Sequence, residues 1–201
     1  TTATDSQDDN ALTVNSITGT EAIGFTTVAT AAADGFLITT GGDWGSSSTS
    51  TGLITLTGNA NSANAAPTSL TVAGGHTIYG AITAVSVNSS GTSELTKIII
   101  SDNSAVVGNI TLDTGTEQSN SVLVIGSAGA SGATVTGNIV GGADGEGLIT
   151  ISGTATITGN IGTGIVAGTT ALGVVGVDQG KALTVSGTVN TDTLNLGILT
   201  G

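Results

Sequence analysis

The chain has 201 residues, 33 of them glycine, with no cysteine, one proline, and 14 acidic against two basic side chains, a formal net charge of −12. Only 8% of residues are charged and 2% are aromatic, yet 38% are hydrophobic and the mean hydropathy is +0.38. Lys97 and Lys181 alone cannot build a cationic surface for nucleic acid, disulfides and thiolate metal sites are excluded, and this hydrophobicity is a poor fit to disorder.

Taken in chain order, short apolar/polar alternations bounded by Gly, Asn, Asp or Ser predict strands at 11–17, 22–29, 35–39, 53–57, 69–72, 77–87, 95–101 and 106–112. They continue at 122–125, 133–139, 148–151, 154–161, 164–166, 172–177, 183–185 and 188–196. Residues 1–10 form a polar, acidic lead, and 11–201 are read as a single β-rich domain. Two inserts interrupt it: 41–52, a Gly/Ser/Thr run expected to be a flexible loop or edge decoration, and the polar segment 59–67. Gly, Thr, Ser, Val and Asn are mediocre or poor helix formers, so little or no helix is expected. No run of roughly 18 apolar residues offers a membrane-spanning helix, and no membrane insertion is expected.

Phe25, Phe36, Trp44 and Tyr79 are the only aromatic residues, and 80–201 contain none. There the apolar content is Val, Ile, Leu and Ala interleaved with Thr, Ser, Gly and Asn. Val, Ile and Thr are stiff at χ1 and favour strands, while Gly and Asn supply tight corners. A narrow core of stacked Val and Ile needs no large aromatics, which points to an all-β fold, an irregular β-solenoid. A β-sandwich, which shares short strands and turns at 8–12-residue spacing, is the alternative.

Repetition supports the solenoid. Gly-Asn-Ile recurs at Gly108-Asn109-Ile110, Gly137-Asn138-Ile139 and Gly159-Asn160-Ile161, each with a β-branched residue two before the glycine: Val106, Val135 and Ile157. Rungs of ~20–25 residues would give about eight coils, a column roughly 40 Å tall. With phrases such as LTVSGTVNTDTLNLG (183–197) and TATITGNIGTG (154–164), these repeats resemble the passengers of autotransporter surface proteins, in particular surface-layer and surface-cell-antigen proteins of rickettsia-like alphaproteobacteria. The likeness is one of repeat texture, over about 95–201 with weaker echoes in 11–90. It implies a secreted, cell-surface structural or adhesive role without enzyme activity. The aromatic girdles of a membrane β-barrel are missing from this chain, so the resemblance further implies a released fragment or a free-standing secreted subunit.

Chemical equipment is sparse. His76, the one histidine, is read as a turn residue, and the acids are spread too thinly for the paired carboxyls of glycosidase chemistry. No catalytic, cofactor or metal residue is assigned and no enzyme activity is expected. Calcium is the one ion considered, because GGADGEG (141–147) places Asp144 and Glu146 on a glycine-rich loop and Asp5, Asp8 and Asp9 cluster early in the chain. A solvated acidic loop is the plainer reading, and no cofactor is required. Ice binding needs T-x-T on successive rungs. The pairs Thr55/Thr57, Thr134/Thr136 and Thr154/Thr158 are irregularly spaced, so generic β-surface threonine is the expectation. The Asn-x-Ser/Thr sequons at Asn88 and Asn109 are of the kind such a composition produces by chance.

A first residue other than methionine leads to the expectation of a processed, secreted product, and few cationic residues leave few sites for trypsin-like proteases. Solenoid ends are strand edges that pair with other chains unless capped, and no cap is evident. Uncapped ends propagate head to tail. The expected partners are copies of the chain itself, through Leu12, Val14 and Ile17 at one end and Leu194, Leu196, Ile198 and Leu199 at the other, giving a filament or surface layer. The lead 1–10 is expected to be held by a neighbour through strand addition. The alternative is a monomeric adhesive passenger binding cell-surface or host ligands, with Trp44 in the 41–52 loop as its contact residue.

Overall fold

The computed structural model describes residues 10–26, 36–58, 67–85, 96–112, 121–127, 131–163 and 171–198. The lead before Asn10, the predicted strand at 164–166, most of the 59–67 insert and Leu199 lie outside these residues. The described residues hold no helix and eighteen strands. The first seven are β1 (Asn10–Val14), β2 (Ile23–Thr26), β3 (Phe36–Thr40), β4 (Ile54–Thr57), β5 (Thr68–Val72), β6 (Thr77–Tyr79) and β7 (Ile82–Val85). Then follow β8 (Thr96–Ile100), β9 (Ala105–Val107), β10 (Ile110–Leu112), β11 (Ser121–Ile125), β12 (Ala133–Thr136) and β13 (Ile139–Gly141). The last are β14 (Glu146–Ile151), β15 (Thr154–Thr158), β16 (Leu172–Asp178), β17 (Ala182–Val185) and β18 (Thr191–Ile198).

Every pairing is parallel, and the strands stack into three walls of a β-solenoid. The first wall has eight strands, β1-β3-β5-β8-β11-β14-β16-β18. The second has five, β6-β9-β12-β15-β17, and the third has five, β2-β4-β7-β10-β13. Isolated bridges extend the shorter walls: Ile17 and Trp44 lengthen the second toward β1, and Ile161 and Val189 lengthen the third toward β18. The described residues thus visit the first wall eight times. A sandwich is ruled out by the parallel register, because antiparallel hairpins are its building unit.

Alternation along each strand sets which side chains fill the column. In β8, Thr96, Ile98 and Ile100 are buried while Lys97 and Ile99 are not; in β15, Ala155 and Ile157 are buried between exposed threonines. Stacked Ile, Leu and Val with zero exposure run through the interior. Beside them lies a column of hydroxyls that the apolar pattern does not signal: Thr68, Thr96 and Ser121 are buried at successive first-wall rungs. Thr68 donates to the Thr57 carbonyl at 3.0 Å, and the Thr96 and Ser121 hydroxyls share a bond of 2.5 Å, which satisfies them in the dry interior.

Most rungs are longer than the ~20–25 residues the repeats suggest. Rungs linked by hydrogen bonds are 28, 29, 22 and 28 residues apart along the second and third walls. Strand lengths stay near three to five residues there, so corner insertions absorb the variation.

Candidate functional site

The Gly-Asn-Ile repeats form the corner between the second and third walls. Asn138 N–H donates to Asn109 Oδ1, Asn160 N–H to Asn138 Oδ1, and Thr188 N–H to Asn160 Oδ1, each at 2.9 Å. Thr188 adds its hydroxyl to the same Asn160 oxygen at 3.2 Å. This asparagine ladder satisfies the backbone where the chain turns and pairs no longer alternate regularly. The preceding glycines are required by close approach: a Cβ on Gly108, Gly137 or Gly159 would fall well inside the carbonyl oxygen of Gly80, Gly108 or Gly137, one rung earlier. The corner is a stacking device and leaves its asparagines committed to one another.

Trp44 overturns the reading of 41–52 as a flexible, ligand-bearing loop. Its side chain has zero exposure, its indole N–H donates to the Val14 carbonyl at 3.0 Å, and its ring stacks on Phe25 with centroids 6.2 Å apart. Its backbone bridges Ile17 and Ile78, with Trp44 N–H donating to Thr77 O and Gly45 N–H to Ile17 O. Residues 43–45 are therefore a rung of the second wall, and the aromatic pair fills the column near its first rungs. The stretch from Ser46 to Ser50 is an exposed turn. Trp44 is unavailable to an adhesion partner.

His76 closes the turn after β5, its N–H donating to Ala73 O at 3.1 Å, with its ring Nδ1 3.9 Å from Asp43 Oδ1. The same Asp43 oxygen accepts the Thr77 N–H at 2.7 Å. In the 141–147 loop, Asp144 Oδ1 accepts from Ala171 N–H at 3.0 Å and Glu146 Oε2 from Ala143 N–H at 2.7 Å. The Asp192 carboxylate fills the space that a side chain on Gly145 would need. Asp43 and Asp144 thus fasten one rung to the next, Glu146 closes its own loop, and among the described residues no group of three or more His, Asp or Glu side chains is placed to hold a metal ion. Asp102 plays a similar fastening part, accepting both the N–H (3.0 Å) and the hydroxyl (2.6 Å) of Ser127.

Part of the threonine set does stack, contrary to expectation, as Thr134/Thr136 on Thr156/Thr158, whereas Thr55 and Thr57 lie on the third wall and Thr154 pairs with Ala182. Thr134 pairs with Thr156 and Thr156 with Thr184; Thr136 pairs with Thr158, beside which Ser186 continues the column. All six are exposed. Unequal rung lengths hid this register, since corner insertions change the spacing in sequence but leave the spacing in space. The outer positions of the second wall carry no charge from β9 onward: Ala105 and Val107, then these hydroxyls with Thr154 and Ala182.

The two ends differ. At the first, Leu12, Val14, Ile17 and Ile23 are half-buried against the core. At the other, Leu194 is 50% and Leu196 72% exposed, although they pair with Val175 and Val177, which are buried beneath them. Val189 is also exposed. Among the described residues the first wall carries β18 here, while the second and third reach one rung less, to β17 and Val189. The result is an apolar groove of about 630 Å³ between β17 and the inner face of β18. Of the seven residues expected to mediate assembly, the structure thus places three on the first rung and Leu194 and Leu196 on the last. Ile198 ends β18, where its backbone pairs with Asp178.

No family model, curated protein or solved structure matches the chain.

Proposed function

We propose that the protein is a non-enzymatic, secreted structural subunit that self-assembles through strand pairing at its solenoid ends into a cell-surface filament or layer. One observation carries the reading: among the described residues, β18 holds Leu194 and Leu196 over an open groove, beside the edge strand β17. Exposed apolar side chains beside unpaired backbone are what strand addition covers. The opposite end offers matching material, an edge strand β1 with Leu12 and Val14 directed at the core. The extracellular setting rests on the resemblance to autotransporter passengers, with which the acidic composition is compatible. Assembly in this scheme needs no metal. Negative-stain electron microscopy of the purified protein tests it: fibres or sheets persisting in EDTA are expected, and isolated short rods would refute it.

The in-register threonine face favours a second reading, binding to ice. Hydroxyl and methyl groups repeat at about 4.8 Å between rungs and about 6.6 Å along a strand, on the part of the second wall from β9 onward that carries no charge. Such a grid can order water in a lattice-like array. Inhibition of ice recrystallisation that is lost in Thr156→Lys would support it; normal crystal growth at millimolar protein would remove it.

A further inference from the structure

The open groove belongs to the second and third walls, and this fixes how copies stack, on the head-to-tail reading above. We infer that the occupant is β1 of a second copy, seated on β17 rather than on β18, so that successive copies are offset by one wall.

Three observations lead there. The first is sequence: β1 contains Ala11-Leu12-Thr13-Val14 and β17 is Ala182-Leu183-Thr184-Val185, the same tetrapeptide. Stacked in register, Leu12 covers Leu183, Val14 covers Val185, and Thr13 extends the outer Thr134–Thr156–Thr184 column. Like residues in parallel register pack as continuous ladders.

The second is the phase of the backbone. Through the column, carbonyls of inward-facing residues point toward the β18 end: Val14 O accepts from Gly41 N–H at 2.8 Å and Ile157 O from Ser186 N–H at 3.0 Å. Continued to the edge, Leu183 and Val185 present their carbonyls past β17, on the side away from β15. The outward residues of β1, Thr13 and Asn15, present their N–H groups from the opposite end of the column. Head to tail and parallel, donors meet acceptors, with Thr13 N–H on Leu183 O and Asn15 N–H on Val185 O.

The third is the groove itself. If β1 were seated on β18, the second and third walls would lack a rung and the apolar space facing Leu194 and Leu196 would stay unfilled. Seated on β17, β1 completes the second wall, Ile17 follows over Val189 on the third, and β2 with Ile23 and Phe25 closes over β18.

Cysteine cross-linking reads the register directly, because the chain has no cysteine of its own. Parallel neighbours about 4.8 Å apart lie within disulfide range, and Thr13 and Thr184 are exposed positions whose replacement leaves the core intact. Under mild oxidation, Thr13→Cys/Thr184→Cys should give a ladder of covalent oligomers, with most of the protein shifted out of the monomer band. The pair Thr13→Cys/Asn195→Cys, which reports seating on β18, should stay monomeric on the same gel. The opposite pattern, or wild-type fibres with neither pair cross-linking, overturns the offset while leaving the polymer reading intact. Absence of fibres and of sedimenting oligomers in the wild-type protein overturns both.

Discussion

Gly137→Ala is the most informative single perturbation of the column. The new methyl would overlap the Gly108 carbonyl group and approach Asn109 N to 3.0 Å, all of it backbone with no flexible side chain to yield. Relief requires the two rungs to separate at the corner, which stretches the bonds Ile110 N–H to Asn138 O and Asn138 N–H to Asn109 Oδ1, both 2.9 Å. At about 1 kcal/mol for each bond and about 1–2 kcal/mol of backbone strain, the loss is about 3–4 kcal/mol. For a chain of this size that lowers Tm by roughly 6–16 °C. Gly24→Ala is the control, because a Cβ there meets nothing within 4 Å and the site is an exposed strand position; its stability should stay within about 0.5 kcal/mol of wild type. Urea and thermal unfolding followed by circular dichroism measure both. A Gly137→Ala midpoint equal to that of Gly24→Ala would refute the argument that rung contact at the Gly-Asn corner holds the walls together.

Other expectations follow from the same geometry. Asn138→Ala removes the acceptor of Asn160 N–H and should cost about 1 kcal/mol, whereas Ala81→Asn, one rung before Asn109, extends the ladder and should gain about 0.5–1 kcal/mol; urea midpoints moving the other way would contradict both. Trp44→Phe loses the bond to Val14 O and should destabilise by about 1 kcal/mol, and Trp44→Ala by about 3–5 kcal/mol. Since Trp44 is the only tryptophan, wild-type emission should be blue-shifted and resistant to iodide, and red-shifted, quenchable emission would place it outside the core. Leu196→Asp, at a position 72% exposed, should leave Tm within a few degrees but abolish sedimenting assemblies in ultracentrifugation; undiminished assembly would remove β18 from the interface.

The solenoid was legible because its strongest constraint is local. Val106, Val135 and Ile157 each stand four residues before an inward Ile, with Gly-Asn between, so strand, corner and strand are written into five consecutive positions. Parallel stacking of those units then follows from their number and from the scarcity of large side chains. Features set by stacking across rungs were hidden. Trp44 lies in a Gly/Ser/Thr run whose composition signals a loop, and only its pairing with Ile17 and Ile78 reveals a wall position. The threonine columns were obscured by steps of 22 and 28 residues between chemically equivalent rungs. The buried hydroxyls of Thr68, Thr96 and Ser121 look like surface residues until their partners are known. At the ends, the apolar alternation of β1 and β18 was readable, but the one-rung shortfall of the second and third walls, which shapes the groove, depends on where each segment falls around the column.

Fibre diffraction from oriented assemblies puts the central claim to its most direct test. Copies joined end to end through strand pairing keep the solenoid axis along the fibre, so a meridional reflection near 4.8 Å is predicted. A 4.8 Å reflection on the equator would mean side-by-side packing of solenoids, and a solution of single rods that never orients would mean no assembly; either result contradicts polymerisation through the ends.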